Sequence, residues 1–200
     1  MPAHQSLVAP FLEPTPIHPG ERMDPYKNCW CGSEKKWKWC HKDRAKQEPI
    51  HLGALLAGMR EEMQRGYCSH PEASPTTCSD RIVRAHTIQR RGGIADIAEG
   101  AHVASVKAGV DDMYDNEGRI EPKSVGVRSA STFNGFCETH DRSMFRPLEV
   151  GSPTLAIENV FLLSFRAMAY ELFAKRAALR SVPIQRDLDR GAPFEAQAAI

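Results

Sequence analysis

Three of the chain's six cysteines and all of its tryptophans fall in one run, CWCGSEKKWKWCH, residues 29–41. A stretch this short cannot bury a hydrophobic core, so apolar packing alone does not order it. Cys29, Cys31, Cys40 and His41 bring four soft or borderline donors into one tight loop. Clustered thiolates repel one another unless a cation offsets their charge, and zinc does so without demanding a particular d-electron geometry. Metal binding would then provide most of the folding free energy of the segment. Gly32 and Ser33 follow the second cysteine and suit a knuckle turn whose backbone amides face sulfur.

The remaining cysteines complete a second set of the same kind. Cys68, Cys78, Cys137 and His140 use every thiol left in the chain, giving two Cys₃His groups. His70 is a substitute ligand for the second set. The Cys68–Cys78 spacing is loose, whereas Cys137 and His140 in GFCETHD sit at a turn-to-helix transition with both donors on one side of the first helical turn. No charged-then-apolar leader opens the sequence, and the longest apolar run, VFLLSF, is far short of the roughly 20 residues that a membrane span needs. The expectation is a soluble, cytoplasmic protein with no membrane partner, in a compartment where clustered cysteines bind metal more often than they form disulfides. Lys and Arg number 26 against 25 Asp and Glu, a formal charge of +1, so any grip on nucleic acid must come from a local patch.

Composition and periodicity divide the chain. Residues 1–25 are proline-rich and lack apolar periodicity, which reads as a disordered or extended arm. Residues 26–46 hold the first cysteine cluster. Within 47–66, Leu52, Leu55, Leu56, Met59 and Met63 recur at helical steps and predict an amphipathic linker helix closing near Gly66. Residues 67–150 form a second metal domain, with RIVRAHTI as a short strand broken by Gly92 and Gly93. In 151–200, Ser152 and Pro153 mark a helix start, and Ile157, Val160, Phe161, Phe165, Met168 and Leu172 support a long helix to about Leu179. The final AQAAI carries no capping signal, the pattern of a segment that continues past residue 200. The fold class expected is α+β, small zinc-stapled modules with a long C-terminal helix.

The run CWCGSEKKWKWCH resembles the SEC-C motif, whose usual form is C-x-C-G-S-G-K-K-x-K-x-C-C/H. That zinc module ends the bacterial preprotein-translocase motor ATPase and is appended to many otherwise unrelated bacterial proteins. The resemblance covers residues 26–46 and implies that Cys29, Cys31, Cys40 and His41 are the zinc ligands and that the module is an interaction device. Trp30 stands where proline is common and Glu34 where glycine is usual. Lys35, Lys36 and Lys38 give the module a cationic surface, and Trp30, Trp37 and Trp39 either offer stacking faces to bases or cover the metal. Nucleic acid and a protein partner both remain open for it.

Residues 67–145 resemble the HNH nucleases, built on a treble-clef, ββα-metal core. AHTIQR ends a strand on His86, Asn134 precedes the second ligand pair, and Cys137 and His140 open a helix. By this resemblance His86 is the general base that activates water, Asn134 orients it, and Asp141 is a ligand for catalytic magnesium or manganese. Arg84, Arg90 and Arg91 would grip phosphates. Ala85 stands where the pattern has a second metal ligand, and the insertion between His86 and Asn134 is long for a compact HNH hairpin. A strand histidine satisfied by a backbone carbonyl is the plainer account of His86, and His102 reads as a surface or core residue. Three functions follow: an HNH-like metal-dependent nuclease carrying a SEC-C interaction module, a non-catalytic zinc adaptor that binds nucleic acid or a protein, or a purely structural role in which both zincs staple small modules beneath a helical interaction domain.

Overall fold

The computed structural model describes residues 23–90, 93–106, 116–117, 119–150 and 154–198. The helix start expected at Ser152 and Pro153, the phosphate contact expected at Arg91 and most of the proline-rich arm lie outside these residues. The chain forms two compact units, Met1–Ile50 with Arg186–Ile200, and His51–Gln185. The expected linker helix therefore belongs to the second unit, and the last stretch of the chain returns to the first.

Among its described residues the first unit has almost no regular structure. Two single turns of 3-10 helix, Trp37–Trp39 and Arg44–Lys46, follow a knuckle in which Cys29 N–H donates to Lys35 O at 2.8 Å. Gly32 (φ +69°) and Glu34 (φ 61°) turn the chain through left-handed conformations. Its described C-terminal part is another 3-10 turn, Arg186–Asp189, and a short helix, Phe194–Gln197.

The second unit mixes helix and sheet around a hydrophobic core. Helix α1 is Leu52–Gln64, and His51 Nδ1 accepts from Gly53 N–H at its start. Strand β1 (Ile82–His86) pairs antiparallel with β4 (Thr132–Cys137), and the register shifts between Val83 and Ala85. Between them β2 (His102–Ser105) and β3 (Lys123–Gly126) form a separate antiparallel ribbon. This ribbon lies within the long insertion after His86. Strand β4 runs straight into α2 (Glu138–Glu149), and α3 (Ile157–Gln185) follows.

Ala85, Phe133, Phe136, Phe145, Leu148, Ala169 and Phe173 make the core, so β1, β4, α2 and α3 all contribute. Aromatic rings meet there edge to face, as at Phe136 and Phe145 (5.1 Å between centroids). Helix α3 runs past the expected end near Leu179 and through Pro183 to Gln185. Its last turns pack on α1: Arg180 Nε donates to Glu62 Oε2 at 2.9 Å, and Ile184 lies against Gly58. Those contacts outweigh the one helical hydrogen bond that Pro183 cannot donate. None of the described helices is long and apolar enough to cross a membrane.

Candidate metal centres

Both expected four-residue sets come together, each with its donor atoms within 4.8 Å of one another. In the first unit His41 Nδ1 lies 3.1 Å from the sulfurs of Cys29 and Cys40, and Cys31 and Cys40 are 3.5 Å apart. In the second, His140 Nδ1 lies 3.2 Å from Cys137, 3.4 Å from Cys68 and 3.5 Å from Cys78. Four donors converging from around one point, three of them thiols, suit a tetrahedral metal ion. All six cysteines are free thiols.

The thiols are not equivalent. Burial pushes Cys29 up to about 12, whereas at Cys31 the hydroxyl and backbone N–H of Ser33 outweigh burial and hold the thiol below its ordinary value. In the second centre burial raises Cys68. At Cys137 burial acts in the same sense but is overcome by the backbone N–H groups of His140 and Ser79, leaving the thiol at about 6. Cys137 is the N-cap of α2, and its sulfur accepts from His140 N–H. The helix terminus thus favours a thiolate where the metal would need one.

The two centres differ in what stands behind the histidine. His41 Nε2 meets Asp189 Oδ2 at 2.6 Å, and both side chains are almost completely buried. Asp189 Oδ1 in turn accepts from Arg44 Nε at 2.6 Å. Trp30 covers the other side of His41, with ring centroids 4.5 Å apart. Sequence spacing does not reveal Asp189, which lies 148 residues from His41. His140 instead stacks flat on His70, 3.9 Å between centroids and 6° between planes. His70 Nδ1 accepts from Glu72 N–H, so this ring closes a turn and stays outside the ligand set.

The residues expected to form a catalytic group fall into two places. His86 ends β1 with Nε2 3.2 Å from the carbonyl oxygen of Val127. A carbonyl only accepts, so Nε2 carries a hydrogen, and in the neutral ring Nδ1 is then the nitrogen with the free lone pair. Val127, not Asn134, is the partner that orients the ring. Asn134 Nδ2 donates to Gln64 O at 3.0 Å, and the residue lines an open cleft with Gln64, Gly66, Arg81, Ile82, Val83 and Arg84. Asp141 stands near Arg166, whose Nη2 is 3.9 Å from Oδ1, too long for a hydrogen bond. Burial pushes the Asp141 carboxyl above its ordinary range against the pull of Arg166 and His86, with Glu149 adding to the rise. Arg166 is 1% exposed, lies over the Phe145 ring at 4.0 Å and also faces Glu149 at 3.5 Å.

Among the expected contact residues, Lys35, Lys36, Trp39, Arg84 and Arg90 are exposed, and Trp37 and Lys38 are half-buried. Lys38 Nζ sits 4.1 Å from the Tyr26 ring centroid and 4.8 Å from that of Trp39. Trp30 serves the metal centre, so the solvent-facing aromatic of this run is Trp39. His102 is exposed on β2 and bonds Gly100 O through Nδ1. No family model matches the chain, and neither a curated protein nor a solved structure matches it.

Proposed function

We propose that the chain is a zinc-binding protein of bacterial type that acts on nucleic acid through an HNH-like, metal-dependent nuclease core. A SEC-C-like module in the first unit would engage nucleic acid or a protein partner. The observation that carries the reading is the β1–β4–α2 arrangement: an antiparallel pair leads into a helix whose first turn bears Cys137 and His140, while the partner strand ends on His86. That is the order of parts in a ββα-metal core. Zinc is the metal that best suits two Cys₃His sets, and its role here is structural.

In this reading His86 takes the proton from a water attacking phosphorus. The Val127 carbonyl fixes its tautomer so that Nδ1 is the basic atom. Asp141 would hold magnesium or manganese, which offsets charge as it builds on the scissile phosphate. Arg84 and Arg90 would hold the flanking phosphates, and Asn134, beside Arg84 in the cleft, joins substrate positioning in place of orienting the base.

Cleavage of plasmid, single-stranded DNA and RNA, with zinc retained and magnesium or manganese added, tests the proposal against His86→Ala. Metal-dependent cutting by the wild type, reduced at least about 100-fold in a variant that keeps its fold and zinc, is the expected result. No cutting of any substrate by either protein would reject the nuclease reading. A second reading, a non-catalytic adaptor, draws on the exposed Trp39 beside Lys35, Lys36 and Lys38. It predicts nucleic-acid or protein affinity that survives His86→Ala and weakens when those lysines are neutralised.

A further inference from the structure

The SEC-C pattern ends at residue 46, yet the first metal centre does not end there. We infer that Asp189 is a positioning residue for this centre, so that metal retention at Cys29, Cys31, Cys40 and His41 depends on the segment that follows Gln185. The inference rests on the zinc reading of the site and adds to it a requirement that the ligand run does not contain.

The argument begins with the imidazole. His41 can present Nδ1 to a metal only if its hydrogen sits on Nε2, and that hydrogen then needs an acceptor because the ring is buried. Asp189 Oδ2 supplies it at 2.6 Å. A carboxylate in this place fixes ring orientation and tautomer, and it makes the ligating nitrogen more electron-rich. The carboxylate is itself held: Arg44 Nε and Nη2 both lie 2.6 Å from Oδ1.

Arg44 also reaches Asp187 Oδ1 at 2.9 Å and the carbonyl of Arg186, so one guanidinium gathers the whole turn Arg186–Asp189. The clasp continues along the backbone. Gly191 N–H donates to Arg44 O at 3.0 Å, and a Cβ at Gly191 would come within 2.8 Å of Pro49. Farther on, Phe194 meets the edge of Trp30, the ring that covers His41. Residues 186–198 therefore supply the acceptor for His41 and a ring against the tryptophan that covers it. The His41–Asp189 pair is not generic surface packing, because both residues are buried and paired atom to atom.

The test uses the full chain loaded with zinc and titrated with a chromophoric chelator. Release from the first centre is followed by tryptophan fluorescence, since all tryptophans lie between residues 30 and 39. Asp189→Ala is expected to weaken zinc binding there about 10–100-fold and Asp189→Asn by less, with the second centre unchanged. Asp187→Ala, which removes an acceptor for Arg44 but does not touch His41, is expected to stay within about 2-fold. A ¹⁵N-histidine spectrum of the loaded protein separates positioning from general loosening. The wild type should show a slowly exchanging His41 Nε2–H, and the Asp189 variants should lose that protection while keeping Nδ1 bound. Equal zinc affinity in wild type and Asp189→Ala, or equal losses in the Asp187 and Asp189 variants, would overturn the inference. A wild type that holds no zinc at the first centre would overturn the zinc reading and the inference with it. Zinc held with unchanged affinity in Asp189→Ala would overturn the inference alone.

Discussion

The two candidate metal centres have the same donor set but gather it over very different lengths of chain. Twelve residues separate Cys29 from His41, and the unit around them is built of turns. Seventy-two separate Cys68 from His140, and strands, a ribbon and a helix start lie between, with a core of phenylalanines beneath. A local ligand set can organise a segment that has no core. A dispersed set must instead be brought together by a fold that already has one. Metal bound by these sets would thus act as a folding nucleus in one unit and as a staple in the other.

Metal removal should break the comparison most visibly. Structural zinc contributes about 10–16 kcal/mol in small finger domains, far more than a coreless segment can supply otherwise. Chelation is expected to abolish ordered structure around Trp30, seen as a red-shifted tryptophan emission. Amides of β4 and α3 should keep most of their hydrogen-exchange protection, because Phe133, Phe136, Phe145 and Phe173 stay packed. Equal loss of protection in both units would show that the second centre is also a prerequisite for its fold.

The converse is a lesion in the core. Phe136 is completely buried and meets Phe133, Phe145 and Phe165. Phe136→Ala should destabilise the second unit by about 3–5 kcal/mol in a denaturant titration. The first centre should keep its metal and its tryptophan emission at low denaturant. Coupled loss of both would remove the distinction between nucleus and staple.

How much of this could be read beforehand follows from range. The first ligand set was legible because its four residues are close in sequence, and β1 because RIVRAHTI, rich in β-branched residues, stands between a turn-rich stretch and Gly92–Gly93. Asp189 was not, since RDLDR has the look of an exposed charged turn and its partner is 148 residues away. Arg166 was hidden for the opposite reason: it sits in an apolar helix, and only the packed core reveals a guanidinium against Phe145 and two acidic side chains. Val127 carries no side-chain signal at all, because it acts on His86 through its carbonyl. The second ligand set was readable as an inventory of the remaining thiols, but its geometry depends on the register of β1 with β4.

The smallest effect concerns one dihedral angle. Glu34 holds φ 61° inside the knuckle, a left-handed conformation that favours glycine. A side chain in that conformation costs roughly 1–2 kcal/mol, while glycine avoids the clash but loses more chain entropy on folding. Glu34→Gly should therefore tighten metal retention at the first centre by about 2–5-fold, equivalent to about 0.4–1 kcal/mol, and leave the second centre unchanged. Glu34→Ala separates conformation from charge, because it removes the carboxylate but keeps the strained angle. If both variants tighten metal binding equally, the carboxylate and not the backbone limits the site. If Glu34→Gly weakens it, the knuckle needs Glu34 for a contact of its own, and a turn-built unit is less autonomous than its ligand spacing implies.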